Sequence, residues 1–421
     1  LANYGVYYFR RFVLMQSKTK AAGDHVESMS RRWRRNELMK ELPNIVVVNK
    51  NRNKYSETFV DHRVRTLREQ GYFVHYLFGG YFPDTSSVSG ALITHAPWRI
   101  HFLAFWELFW NRGNNYFLRK AFRKYLRKHR ITLVLAEFGT VGAQIFEDCK
   151  ACNVPLIVTY RGYDIHHVGT IEKHKEAYRQ MLAYSSKVLC VSVAIRDKLQ
   201  TMYGPLDNLV YLPLDVDVEL FEYSDHSSNE NVFLSVGRFS ETKAQHLVVL
   251  AFEKVLKKIP HAKLVLVGAD GGTGHLENVM TLVKALKIED AVSFKGVLSK
   301  KAVLQEMQNA IVYIQHSVKT PVNHDMEGTP VSVAEAMLCG LPVVATKHAG
   351  IAEIIEHGKT GLLVAEFDVD AMATEMKKLI MDRQLASAMA SAASEKMRAM
   401  PELAGYANLL RKMVEESRIK G

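Results

Sequence analysis

Residues 232–268 read VFLSVGRFSETKAQHLVVLAFEKVLKKIPHAKLVLVG. An apolar run ending on glycine, VFLSVG at 232–237, gives way to a helical pattern over Ala244–Lys258 and then to a second run, AKLVLVG at 262–268. Strand, helix and strand in this rhythm predict a parallel βαβ unit. Toward the C-terminus the rhythm continues through AVSFKG at 291–296, AIVYIQ at 310–315, PVVAT at 342–346 and GLLV at 361–364, with a helix over Val331–Cys339. An earlier series precedes the polar stretch Ser224–Asn231. It comprises IVVV at 45–48, a helix from Ser56 to Gln70, a strand at Tyr72–Leu77, and then TLVLA at 132–136, PLIVTY at 155–160, VLCVS at 188–192 and VYLPL at 210–214.

Two consecutive doubly wound α/β halves are the simplest account of these series, with a boundary near residues 214–230. The expected division is 43–214 and 215–400, after a basic extension over 1–42 (Arg10, Arg11, Lys18, Lys20, Arg31, Arg32, Arg34, Arg35). A final helix over 401–421, with Leu403, Tyr406, Leu409, Leu410 and Met413 at helical spacing, can pack on either half. Ligands of open parallel sheets bind outside the carboxyl ends of the strands, so an active site is expected in the cleft between the halves.

The 421 residues, 48% hydrophobic and 24% charged, are those of an ordinary folded chain, neither disordered nor fibrous. A net charge of +11 calls for an acidic partner: nucleic acid, anionic lipid or a phosphorylated small molecule. Arg99, Glu107 and Arg112 interrupt the most aromatic region, so no stretch approaches the roughly 18 uncharged apolar residues of a membrane span. In the opening LANYGVYYFRRFVLMQ, Arg10 and Arg11 stand inside the apolar stretch, which does not read as a signal peptide. Four scattered cysteines make no disulfide framework and point to a reducing compartment. Cys149 and Cys152 form a C-x-x-C pair beside Glu147, Asp148 and Lys150, on what reads as the end of a surface helix, with no second pair to complete a zinc site.

Residues 325–337, DMEGTPVSVAEAM, carry the most chemistry. A loop containing Gly328 and Pro330 runs into a helix, so backbone N–H groups between Gly328 and Ser332 face outward at its positive end, a ready site for phosphate. Glu335, eight residues after Glu327, can look back over the same pocket and accept hydrogen bonds from sugar hydroxyls. A second element, Gly237-Arg238 through Lys243, puts two cations at a strand end, where Arg can bind two pyrophosphate oxygens and Lys acts as a point charge. Gly268-Ala269-Asp270-Gly271-Gly272 repeats the strand-to-glycine turn and permits close backbone approach.

From about residue 44 to 400 the chain resembles the large retaining GT-B glycosyltransferase family 4. The likeness rests on Glu327 and Glu335, on Gly237, Arg238 and Lys243, and on the wording DMEGTPVSVAEAMLCGLPVVAT followed by Gly350, Glu353 and GKTGLLV. The wording is especially similar to members that build capsular, exopolysaccharide or lipopolysaccharide chains. The resemblance implies two Rossmann-like domains with parallel sheets facing an interdomain cleft, the first for the acceptor and the second for the nucleotide sugar. It implies that Arg238 and Lys243 hold the donor diphosphate and stabilise the leaving group, Glu335 the ribose, and Glu327 the transferred sugar. Gly328, Thr329, Pro330 and Val331 would add backbone contacts, and Lys295 and Gly296 would frame the base. No metal is implied at the diphosphate, because cations and a helix end replace it. The expected reaction transfers sugar from a nucleoside-diphosphate sugar to a glycan or lipid-linked acceptor with retained anomeric configuration.

In the first half, Thr159-Tyr160-Arg161-Gly162-Tyr163-Asp164 resembles the family's His-Gly-x-Asp element, with Arg161 in place of His. Arg161 and Asp164, with Ser56 and Glu57 at the first helix start, are candidate sugar or acceptor contacts. Asp164 equally reads as the cap of a βα turn. Leu214-Asp215 stands at the hinge where relatives often have Asn-Gly. Between Trp98 and Arg130, Arg119, Arg123 and Arg127 recur every four residues beside Lys120, Lys124 and Lys128, with Phe122, Tyr125 and Leu126 on another sector. This basic amphipathic helix suits either an anionic membrane or docking with a solvated basic face. The expected location is the cytoplasmic face of a membrane, peripherally. A nucleic-acid binder explains the charge but neither glutamate, and an inactive scaffold is the reading Arg161 leaves open.

Overall fold

A computed structural model describes residues 43–51, 57–78, 85–86, 116–212, 216–226, 229–400 and 406–419. The extension over 1–42, Ser56, the aromatic region up to residue 115 and Leu214-Asp215 lie outside the described residues. Those from Asn44 onward belong to one compact unit.

The first half runs β1 (Asn44–Asn49), α1 (Thr58–Glu69), β2 (Phe73–Phe78), β3 (Thr85–Ser86), α2 (Tyr116–Lys128), β4 (Ile131–Glu137), α3 (Gly139–Ala151) and β5 (Leu156–Tyr160). It ends with α4 (Tyr163–His166), α5 (Val168–Tyr184), β6 (Lys187–Cys190), α6 (Val193–Tyr203) and β7 (Leu209–Tyr211). The second half runs β8 (Val232–Val236), α7 (Gln245–Leu256), β9 (Lys263–Val267), α8 (His275–Ala285), β10 (Val292–Phe294), α9 (Lys300–Asn309), β11 (Val312–Gln315), α10 (Val331–Leu338) and β12 (Val343–Thr346). After it come α11 (Ile351–Ile354), β13 (Leu362–Val364), α12 (Val369–Met381), α13 (Arg383–Ala399) and α14 (Tyr406–Ile419).

Among the described residues the first sheet has the order β3-β2-β1-β4-β5-β6-β7 and the second β10-β9-β8-β11-β12-β13. Every pairing is parallel except β2 with β3. Strand order therefore reverses between β1 and β4 and again between β8 and β11, which opens a crevice at each carboxyl edge. Helices cover both faces of each sheet, which is why the strands read as continuous apolar runs. In β1, Val46 and Val48 enter one core and Ile45 and Val47 the other.

Two expectations need correction or completion. The C-x-x-C helix α3 exposes Glu147 and Lys150 at its end, but Cys149 and Asp148 are fully buried, and burial pushes the Cys149 thiol well above its usual range. The reason is α2, whose arginine row turns onto α3. Arg123 Nε meets Asp148 Oδ1 at 2.5 Å, Arg119 pairs with Glu147, and Arg127 donates to the Ala151 carbonyl at 3.3 Å, while Phe122 and Leu126 fill the core. The arginines thus dock the helix, and Lys120, Lys124 and Lys128 form its exposed row. The final helix α14 chooses the first half, burying Tyr406, Leu410, Met413 and Val414 against Ile45, Phe59 and Val64. Among the described residues no helix is long and apolar enough to cross a membrane.

Candidate functional site

At the crevice between β8 and β11, the turn after Gly237 sets the first cations. The N–H groups of Lys243 and Ala244 return to the Ser240 carbonyl at 3.2 and 3.1 Å, with Ala244 left-handed (φ 43°). This fold-back lays the Lys243 stem over Gly237, where a Cβ would stand 3.2 Å from Lys243 Cε. Lys243 Nζ then reaches Glu327 Oε2 at 2.9 Å, and the Ser317 hydroxyl donates to the same oxygen at 2.8 Å. Burial alone would push Glu327 up, but Lys243, Ser317 and His348 together hold it below the usual range. The Arg238 stem lies against Gly271, and its charge reaches Asp325, which burial and the Glu327 charge push up to about 6.

The loop carrying Glu327 is braced from behind. Glu327 N–H donates to His348 Nε2 at 3.4 Å, and Nδ1 of the same ring is hydrogen-bonded to Glu366 Oε1 at 2.6 Å. The loop runs into α10, whose N-cap is Pro330 and which no side chain caps. Its N-terminal end therefore keeps backbone donors directed at the crevice. The Thr329 hydroxyl is spent elsewhere, on the Val191 carbonyl at 3.0 Å. Glu335, one turn into α10, is 6% exposed and stands 3.9 Å from Lys300 Nζ. Burial pushes it up to about 7 against the pull of Lys300. Between the glutamates, Tyr313 Oη donates to Ser332 Oγ at 2.8 Å, and burial, helped by both carboxylates, raises the phenol.

Lys295 and Gly296 lie just past β10. Lys295 pairs with Glu306 at 3.4 Å, and the Gly296 carbonyl accepts from Gly268 N–H at 2.8 Å. The glycine loop before α8 is already filled by its own aspartate: Asp270 Oδ2 accepts from Gly272, Thr273 and Gly274 N–H at 2.7, 2.8 and 3.1 Å.

The first-half candidates divide. Glu57 stands at the end of β1, its oxygens taken by the Asn49 and Asn51 amides at 2.8 and 2.9 Å. Asp164 does not face the cleft. It is fully buried and accepts from the N–H groups of Gly139, Gly162 and Arg161 at 2.8, 3.0 and 3.1 Å, so it organises the βα turn. Arg161 is held in place by its own half: Nη2 and Nε meet Glu137 Oε2 at 2.8 and 3.3 Å, and its Cζ lies 3.5 Å above the Phe59 ring centroid. Glu137 is fully buried, and its other oxygen takes Arg63 at 2.8 Å. The Arg161 turn nonetheless touches the loop that carries Glu327. A Cβ on Gly162 would stand 2.7 Å from the Met326 carbonyl oxygen, and one on Gly328 2.5 Å from that of Arg161. Glycine at both positions lets the two backbones meet.

Two family models match the chain: Glycosyltransferase Family 4 over residues 56–220 and Glycosyl transferases group 1 over residues 218–396. The chain belongs to the group 1 glycosyltransferases. The amylovoran biosynthesis glycosyltransferase AmsK of Erwinia amylovora is 28% identical over 59% of this group 1 chain and 61% of its own length. The N-acetyl-alpha-D-glucosaminyl L-malate synthase of Bacillus anthracis is 29% identical over 58% and 62%. The chain thus spans about three fifths of the curated relatives it matches. Sucrose-phosphate synthase from Thermosynechococcus elongatus superposes with a TM-score of 0.72 at 18% identity, over 90% of this chain and 100% of that one. Anabaena HepE in complex with UDP gives 0.68 at 17%, over 89% and 100%. At such identities the superpositions speak for the GT-B fold.

Several residues that complete the group 1 site were not singled out from the sequence: Ser317, Asp325, His348 and Glu366 around Glu327, Lys300 beside Glu335, and Glu137 beneath Arg161. Asp325 was visible at the head of its motif. Glu137 offered one signal, a charge ending an apolar strand. The others reach the site from elements that carry no motif of their own.

Proposed function

We propose that this protein is a retaining glycosyltransferase that moves a sugar from a nucleoside-diphosphate sugar to a glycan acceptor, lipid-linked, in the synthesis of a cell-surface polysaccharide. The observation that carries the reading is the Lys243–Glu327 ion pair at 2.9 Å, formed by two separate segments at the crevice of the second half. Arg238 and the uncapped start of α10 stand beside it. A departing nucleoside diphosphate gathers negative charge on its oxygens, and preorganised cations and backbone donors are what stabilise it. Lys243 and Arg238 take that role, Glu327 orients the sugar, and Glu335 accepts from the ribose hydroxyls. The cations and the helix end serve in place of a metal. Supporting the donor class, HepE has been solved with UDP-glucose; supporting the process, AmsK is named for amylovoran biosynthesis. The protein works at the cytoplasmic face of a membrane, with the lysine row of α2 toward anionic lipid.

A thermal-shift panel of UDP-, GDP- and ADP-sugars tests the donor, since a ligand of the native state raises apparent stability. One clear responder is expected, with transfer insensitive to EDTA, the product anomer matching the donor, and a loss on the order of 10²–10³ in rate for Lys243→Ala. A folded protein that answers none of these donors refutes the reading.

A further inference from the structure

The first-half helix α6 begins with donors that its own half does not satisfy alone. Ser192 Oγ accepts from Ile195 N–H at 3.2 Å, the ordinary N-cap bond. The two preceding N–H groups are met from the second half. Glu353 accepts from Val193 at 2.9 Å through Oε1 and 3.0 Å through Oε2, and from Ala194 at 3.3 Å. Its Oε2 also accepts from Tyr211 Oη, at the end of β7, at 3.2 Å. One carboxylate on α11 therefore gathers three donors from the other half, at the positive end of an 11-residue helix.

The segment that Glu353 grips is the one the donor loop touches. Thr329 bonds to the Val191 carbonyl, two residues before Val193, and a Cβ on Gly328 would stand 2.6 Å from Val191 Cγ2. Gly350, just before α11, packs directly on Thr329. Among the described residues, further links across the cleft include Val168 N–H to the Asn323 carbonyl at 3.1 Å and Arg65, half exposed, to Asp217.

We propose that Glu353 is a positioning residue, the latch that holds the two halves closed by completing the N-terminus of α6, and that it thereby seats the acceptor half over the donor loop. When the halves part, the Val193 and Ala194 N–H groups lose their acceptor to water. When they close, the carboxylate meets the helix end and the Tyr211 hydroxyl, which stabilises the closed arrangement. The catalytic consequence rests on the glycosyltransferase reading; the conformational one does not.

The test uses the full chain with Glu353→Ala and Glu353→Gln. Hydrogen exchange and small-angle scattering are followed without ligand, then UDP affinity and turnover. For Glu353→Ala, the Val193 and Ala194 amides are expected to exchange at least about tenfold faster while Ile195, held by Ser192, changes less. The scattering should report a larger mean radius. UDP affinity, a property of the second half, should stay within about threefold while turnover falls about tenfold or more. Glu353→Gln keeps one acceptor oxygen and should fall between. Unchanged exchange at 193–194 with an unchanged scattering curve overturns the latch. So does a collapse of UDP affinity, which would mean that Glu353 only supports the donor half. Should the wild type transfer no sugar, that reading fails alone, and exchange and scattering still decide the latch.

Discussion

At Glu335 the carboxylate is 6% exposed and Lys300 is 3.9 Å away, too far for a hydrogen bond, so burial pushes the group from 4.5 up to about 7. Because its folded value lies above the unfolded one, the native state holds the extra proton between those limits, and stability falls as pH rises from about 4.5 to about 7. Glu335→Gln is therefore expected to match wild type near pH 4 and to be more stable at pH 8. The gain is at most about 3 kcal/mol, or several degrees of melting temperature. On the proposed ribose contact its donor affinity should also lose its pH dependence, whereas wild-type affinity should weaken below about pH 7 by up to tenfold per unit, because hydroxyl donors bond better to the ionised form. Melting curves at both pH values and UDP titrations check this; a variant no more stable at pH 8 contradicts it. Glu335 was legible because its spacing from Glu327 lies within one continuous segment. Glu137 was not, because its buried charge makes sense only beside Arg63, 74 residues earlier, and Arg161, which meets its other oxygen.

The helix α2 shows the same limit one level up. Its four-residue arginine recurrence was plain, and so were the apolar positions Phe122 and Leu126, but periodicity says which residues share a side and not what faces them. The deciding partner is Asp148, fully buried on α3 and pushed up by burial against the pull of Arg123 and Arg119. Arg123→Ala leaves that carboxylate with a longer contact to Arg119, 3.7 Å away, and should cost about 1–3 kcal/mol in a urea melt. Replacing Lys120, Lys124 and Lys128 together by Gln should leave the melt within about 0.5 kcal/mol. The same replacement should weaken sedimentation with phosphatidylserine vesicles by roughly 1 kcal/mol per charge removed. A neutral arginine variant would contradict the docking, and undiminished vesicle binding would end the membrane role of this row.

For the whole molecule, the two halves were legible because each buried strand announces itself as an apolar run, whereas helical spacing at the end of the chain named a face without naming its partner. The packing supplies the answer: α13 puts Ala393 and Met397 into the core of the second half, and α14 then crosses to the first. There Arg63 Nε donates to Tyr406 Oη at 3.2 Å, and Lys187 pairs with Glu416 at 3.0 Å. The last helix of the sequence is thus part of the first half's core, while the second half keeps cores of its own. Leu410→Ala, at a fully buried position, should remove about 2–5 kcal/mol from the first half alone. A calorimetric scan is expected to split, with the first half melting early and a later component that UDP still raises, because the residues around Lys243, Glu327 and Glu335 stay in place. If the variant instead melts in one lowered step that UDP shifts as a whole, the halves do not hold separate stabilities, and the cleft must be treated as one cooperative unit.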